Sequence, residues 1–192
     1  VERAIQDTSK AIEEEHSVNW SQMLKLIHLT GMEKSMKNQY QNASNISARI
    51  QLHNKYSTNT QGWFPWIFDQ CHMAEHSTVL EIGCGDGSLW LENKEKIPKQ
   101  LHVVLSDISE GMLRDTRRAI HANVKTSRFD FQVFDCERIP YPDNSFDLVI
   151  ANHILFYCKN LTSVFEEISR VLKTGGTFVC STYGAAHMKE IN

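Results

Sequence analysis

The stretch VLEIGCGDGSLW, residues 79–90, decides the fold. It starts as an apolar run closed by Glu81 and Ile82, then places Gly83, Gly85 and Gly87 within five positions. A short, nearly all-apolar run is the pattern of a strand covered on both faces. Glycines directly behind it strip side chains from the corner where strand turns into helix. A ligand can then approach the backbone and use N–H groups at the helix start. Glycine also serves purely structural turns, so the neighbouring residues must decide.

Downstream, strand and helix patterns alternate. TVLEI (78–82) precedes a helix over SLWLENKEKI (88–97) that stops before Pro98. LHVVLSD (101–107) reads as a strand, SEGMLRDTRRAIHA (109–122) as a helix capped by Ser109, and FDFQVFD (129–135) as an alternating strand. RIPYPDNS is a loop by its prolines, Asp143 and Asn144, and FDLVIAN (146–152) is again an apolar strand. In LTSVFEEISRVLK (161–173) a helical stripe runs through Leu161, Val164, Phe165, Ile168, Val171 and Leu172, with Gly175 and Gly176 expected to stop it. TFVCST (177–182) gives a fifth strand.

Five strands separated mainly by helices predict an α/β fold. It is a doubly wound, mainly parallel Rossmann-like sheet with helices on both faces, joined by right-handed crossovers. Ligands of such sheets bind beyond the carboxyl ends of the strands, where strand order reverses. Upstream, Trp20, Met23, Leu24 and Ile27 in WSQMLKLIHLTGM mark one buried helix face. Residues 1–60 are therefore expected to form an N-terminal helical cap, and 61–192 the core.

The totals narrow the partners. A chain of 192 residues with 41% hydrophobic and 22% charged residues is that of a globular domain. No apolar run approaches the ~20 residues of a membrane span, and the acidic start, with Glu13, Glu14 and Glu15, is unlike a secretory signal. These features predict a cytoplasmic protein without membrane partners. A net charge of −3 argues against a nucleic-acid face and for a small-molecule substrate. Five scattered cysteines without a C-x-x-C pair suit reduced thiols.

A dinucleotide fingerprint needs G-x-G-x-x-G, but here Ser88 stands where the third glycine belongs, and Asp86 sets a carboxylate where phosphates would lie. A cofactor without phosphates suits the corner better. VLEIGCGDG resembles the first motif of the class I S-adenosylmethionine-dependent methyltransferases. The likeness continues in order through LSDIS, FDCERIPYPDNSFDLVIANHILFY and EEISRVLKTGGTF, over roughly residues 60 to 183. It is strongest to the small-molecule branch that includes the ubiquinone and menaquinone methyltransferases.

The resemblance implies S-adenosyl-L-methionine as cofactor and S-adenosyl-L-homocysteine as product. It places Glu81, Gly83, Cys84 and Gly85 around the amino-acid part of the cofactor, with Gly87 allowing close approach. Asp107 matches the acid that accepts both ribose hydroxyls, a role suited to one carboxylate with two acceptor oxygens; its alternative is a helix N-cap. Ile108 and Met112 would pack on adenine or ribose. Asp135 matches the acid facing the adenine amino group, beside the Cys136 N–H, unless it only starts a turn. Asn152 would border the methionine portion.

A general base is optional, because the sulfonium already activates the methyl and alignment carries most of the task. His153 is the candidate catalytic residue, against a packing role. Tyr56, Trp63 and Tyr157 are candidate substrate-pocket walls, with a core role the stronger reading for Trp63. Cys84 reads as a small filler rather than a nucleophile. No metal is expected: His72 and His76 have helical i, i+4 spacing near Cys71, but a third ligand is missing. Family members usually carry a further helix and an antiparallel strand pair after the fifth strand. Without them that strand is an exposed edge through which a homo-oligomer can form. The reading is thus a methyltransferase acting on a small molecule by in-line displacement. A non-catalytic cofactor-binding sensor or partner subunit and a nicotinamide-dependent oxidoreductase are its rivals.

Overall fold

A computed structural model describes residues 60–125 and 127–182 of the chain. The expected helical cap, Tyr56 within it, and the segment beyond the fifth strand lie outside these residues. Among the described residues, no helix is long and apolar enough to cross a membrane.

The elements are α1 (Trp63–Gln70), β1 (Thr78–Ile82), α2 (Ser88–Leu91), β2 (His102–Asp107), α3 (Glu110–Asn123) and β3 (Arg128–Val133). They are followed by β4 (Phe146–Asn152), a 3-10 turn (Leu155–Tyr157), α4 (Leu161–Val171) and β5 (Leu172–Ser181). The sheet has the order β3-β2-β1-β4-β5, and all neighbouring strands run parallel. The chain builds outward from β1 to β3, then crosses back to place β4 on the other side of β1. Strand order thus reverses between β1 and β4, whose carboxyl ends carry the glycine corner and Asn152–His153.

Strand alternation divides the core into two layers. Val79, Val103, Leu105, Leu148 and Ile150 face one side and pack with Trp66, Ile67, Leu89, Trp90, Leu113 and Ile120 from α1, α2 and α3. Leu80, Ile82, Val104, Val149 and Ala151 face the other, against Leu161, Val164, Ile168 and Val171 of α4. Helices therefore cover both faces, which is why the strands read as continuous apolar runs. The expected α/β fold class is the one observed.

Two elements differ from expectation. The helix predicted over 88–97 ends at Leu91, because the buried Asn93 turns its amide onto the carbonyls of Leu89 (2.8 Å) and Phe64 (3.1 Å) and competes with further helical bonding. The helix predicted to 173 ends at Val171, and β5 begins at once. Gly175 and Gly176 form a bulge inside β5, where the register with β4 jumps from Phe146↔Leu172 to Leu148↔Thr177. Lys173, expected at a helix end, pairs with Asp147 at 2.8 Å, and the same carboxylate accepts the Thr78 N–H.

The connection from β3 to β4 contains no helix, and side chains of α4 hold it. Arg170 donates to the carbonyls of Ile139 (2.9 Å) and Tyr141 (2.7 Å), while Glu167 accepts the Ile139 N–H at 2.7 Å.

Candidate functional site

The three glycines of the corner all have left-handed backbones, with φ of 68° at Gly83, 55° at Gly85 and 78° at Gly87. Their surroundings differ. A Cβ at Gly83 would fall 2.3 Å from Cγ2 of Ile154, in the turn after β4, and one at Gly87 would fall 2.8 Å from Cγ2 of Thr116 on α3. These two positions are bare so that protein can pack against them. At Gly85 a Cβ would meet nothing within 4 Å, so this glycine borders open space.

The corner's N–H groups are largely spent within the protein. Cys84 N–H bonds the Ser106 carbonyl (2.9 Å), Gly85 N–H the Asp107 carboxylate (3.1 Å), and Gly87 N–H the Cys84 carbonyl (3.1 Å). Asp86 Oδ1 accepts both the N–H (3.0 Å) and the hydroxyl (2.7 Å) of Ser88. The expectation that a ligand would use the donors at the helix start is corrected here: the first helical N–H is taken by Asp86. What the corner offers is open space and carboxylate.

Three acids converge on it. Glu81 is 2% exposed and accepts the Trp90 indole N–H at 2.6 Å. Burial first, opposed by that hydrogen bond, and then the charges of Asp86 and Asp107 raise its pKa to about 8. Asp107 ends β2, with one oxygen on Gly85 N–H and the other on Ser109 N–H at 2.8 Å. Burial raises its pKa, partly offset by those N–H donors. The N-cap of α3 is Ser109, whose hydroxyl accepts Met112 N–H at 3.3 Å, so the capping alternative for Asp107 does not hold. Each Asp107 oxygen retains acceptor capacity beyond its one backbone bond.

Beside Asp107 the surface turns apolar. Ile108 is 72% exposed and Val133, paired with Asp107 across β2 and β3, is 47% exposed. They stand at the carboxyl ends of these strands, on the side where ligands of such sheets bind. Met112 is buried at 3%. Asp135 is exposed and accepts the Glu137 N–H at 3.0 Å, a turn contact. Cys84 is buried, with burial raising its pKa, as a filler would be.

At the end of β4, Asn152 Oδ1 accepts the Trp63 indole N–H (3.2 Å) and the Ser181 hydroxyl (2.6 Å). His153 follows with φ of 56°, a strained backbone for a non-glycine residue, and its N–H bonds the Ser181 hydroxyl oxygen at 3.0 Å. Trp63 stacks on the His153 ring with centroids 4.6 Å apart. Trp63 thus belongs to this cluster as well as packing on the core. Tyr157 lies on the 3-10 turn, its ring 4.3 Å from that of Phe156. His72 and His76 are not on one helix face: α1 ends at Gln70, and both residues have left-handed backbones beyond it.

Trp90, Thr116 and Ser181 escaped the sequence reading. Trp90 stands in the quoted stretch, nine positions after Glu81, and a buried acid in need of a donor was the available signal. Thr116 on α3 bonds the Gly85 carbonyl and Ser181 on β5 bonds Asn152 and His153, and local pattern does not tie them to these places.

A family described as the methyltransferase domain matches residues 80–180. The demethylmenaquinone methyltransferase of Symbiobacterium thermophilum is 32% identical over 118 residues, which cover 62% of this chain and 47% of the relative. The malonyl-[acyl-carrier protein] O-methyltransferase of Nitrosospira multiformis is 31% identical over 126 residues, 59% of this chain and 41% of the relative. The chain thus spans less than half the length of these curated relatives. A solved structure of Haemonchus contortus phosphoethanolamine N-methyltransferase 2, in complex with S-adenosyl-L-methionine, superposes with a TM-score of 0.61 at 24% identity. It covers 74% of this chain and 33% of that one, and shows the shared fold.

Proposed function

The chain belongs to the methyltransferase domain family, and from that premise we propose that it binds S-adenosylmethionine and transfers the methyl to a small-molecule acceptor by direct displacement. One observation carries this reading: Asp107 is tied through Gly85 N–H to a glycine whose outer side is open, beside the exposed Ile108. This is a shelf with an acid at its edge, the form that a neutral sugar diol and a flat base require. Gly85 gives the room, and the residues present fit the cofactor.

When bound, S-adenosylmethionine supplies a methyl already activated by its sulfonium charge. The chain's own residues have the tasks of holding and orienting. Asp107 accepts the two ribose hydroxyls, Ile108 covers the base, and Asp135 with the Cys136 N–H meets its polar edge. Asp86 and Asp107 make the corner electronegative, which favours a cationic ligand over a phosphate. Asp86, seated on Ser88 N–H, weighs further against a nicotinamide dinucleotide. His153, stacked on Trp63, orients or deprotonates the acceptor, Tyr157 lines the pocket for it, and Asn152 borders the methionine portion. The stack with Trp63 helps to hold the ring, and aligning the acceptor with the methyl can be worth ~7–11 kcal/mol of barrier.

The negative net charge of the chain, −3, and the small-molecule and carrier-bound acceptors named for the relatives support this acceptor class. Titration calorimetry with S-adenosylhomocysteine and with NADH tests the cofactor: binding of the first and none of the second is expected, and the reverse overturns the reading. Transfer of labelled methyl to a panel of quinols, acyl thioesters and amines tests the acceptor. Tight cofactor binding with no transfer to any of them would favour a sensor or partner subunit.

A further inference from the structure

The thiols of Cys136 and Cys158 face each other with sulfurs 3.4 Å apart. Cys136 lies in the loop after β3, next to Asp135, and Cys158 closes the 3-10 turn after β4, next to Tyr157. Contacts next to the sulfurs also hold the two segments together. Glu137 Oε1 accepts the N–H groups of Lys159 (2.9 Å) and Asn160 (3.0 Å), so the loop and the turn are already clamped one residue further along. Both cysteines are free and half-buried, whereas Cys71 and Cys84 are buried; the Cys158 thiol also lies 3.8 Å from the Ile154 carbonyl. A disulfide needs sulfurs about 2.05 Å apart, so closure asks for a movement of little more than ~1 Å between segments that already touch.

We propose that Cys136 and Cys158 form a reversible dithiol–disulfide couple, a covalent clasp between the β3–β4 loop and the turn behind β4. With hydrogen peroxide as oxidant, the Cys136 sulfur attacks one peroxide oxygen, the O–O bond breaks, and a sulfenic acid and water result. The Cys158 sulfur then attacks the sulfenic sulfur, the S–O bond breaks, and the hydroxyl leaves as water with the Cys158 proton. Two thiols lose two electrons and two protons, and peroxide is reduced to two waters. A small dithiol reverses the reaction by exchange. The hydrogen bond with Cys136, then burial, and then the charges of Glu137 and Asp135 hold the Cys158 thiol above its ordinary range.

The clasp sits beside the proposed cofactor site but does not depend on that reading. It fixes the distance between the loop bearing Asp135 and the turn whose Ile154 packs on Gly83. Oxidation would remove the freedom of these two segments to move apart.

The test uses the purified chain, reduced and then freed of reductant, titrated with peroxide, blocked with a maleimide and digested with trypsin. Cleavage after Arg128, Arg138 and Lys159 puts the two cysteines on separate peptides. The expected result is that two of the five thiols disappear first and return with dithiothreitol. Peptides 129–138 and 139–159 should be linked, and Tm should rise by roughly 10 °C, the scale for a loop of this length. Cys136→Ser and Cys158→Ser are each expected to abolish both the link and the shift; should one fail to fold, the other serves. Independent sulfinic acids at the two positions, a link through Cys71, Cys84 or Cys180, or five thiols persisting would each overturn the proposal.

Discussion

The indole of Trp90 donates to the buried carboxylate of Glu81 at 2.6 Å. This contact couples the core to the ligand corner. Glu81 lies on the strand face that packs against α2, so its carboxylate reaches Trp90 before it reaches solvent. Trp90→Phe keeps most of the volume and removes the donor. A buried acid without its partner costs about 1–3 kcal/mol. Urea unfolding should show a loss of that size, and Trp90→Phe as stable as wild type would mean the bond contributes nothing.

Glu81 should also make the ligand-free chain less stable in base. Its native pKa is raised from 4.5 to about 8, chiefly by burial, with the Asp86 and Asp107 charges adding to it and the Trp90 bond opposing. A folded state that holds the proton more tightly than the unfolded one is favoured at low pH. The contribution is complete below about 4.5 and is lost as pH rises through about 8. Tm is therefore expected to fall between pH 6 and pH 9, and Glu81→Gln to flatten that part of the profile. A wild-type profile that rises over the interval would contradict the placement of this carboxyl.

Gly83 and Gly85 should separate stability from binding. Gly83→Ala forces a methyl to 2.3 Å from Ile154 at a left-handed φ, so a loss of about 2–4 kcal/mol is expected. Ile154→Ala should recover part of it in a double-mutant cycle. Gly85→Ala meets no atom and pays only the backbone term of about 1 kcal/mol, yet its methyl enters the space assigned to the ligand. S-adenosylhomocysteine affinity should drop at least tenfold in Gly85→Ala. Equal destabilisation by both substitutions would mean that both glycines are structural.

Much of this arrangement was legible before any coordinates. The strands were readable because a sheet buried on both faces writes itself as short runs such as FDLVIAN, and the resemblance carried the corner from Glu81 to Gly87. Helix ends were less legible, since they depend on competition that periodicity does not record. Asn93 ends α2 by bonding the Leu89 carbonyl, and the bulge at Gly175 and Gly176 belongs to the pairing of β5 with β4. The cluster at the end of β4 was half visible. Asn152 and His153 are adjacent in sequence, but Trp63 and Ser181 reach them from α1 and β5, and only folding brings them together.

Asp107 is the residue on which the cofactor reading turns. Each of its oxygens already accepts one backbone N–H, from Gly85 and from Ser109, which fixes the plane of the carboxylate before any ligand arrives. Hydrogen bonds from a diol to a charged acceptor are worth about 1.5–3 kcal/mol each. Asp107→Ala should therefore weaken S-adenosylhomocysteine at least 30-fold by calorimetry, while also leaving the Gly85 N–H without an acceptor. Asp107→Asn separates the two effects. Its amide keeps one acceptor oxygen for Gly85 but turns a donor toward the other side, where Ser109 N–H and a ribose hydroxyl both need an acceptor. Affinity should fall nearly as far as in Asp107→Ala, with a smaller loss of stability. Full affinity in Asp107→Asn would show that the side chain acts only as a brace for the glycine corner, and the ligand's sugar would have to be held elsewhere.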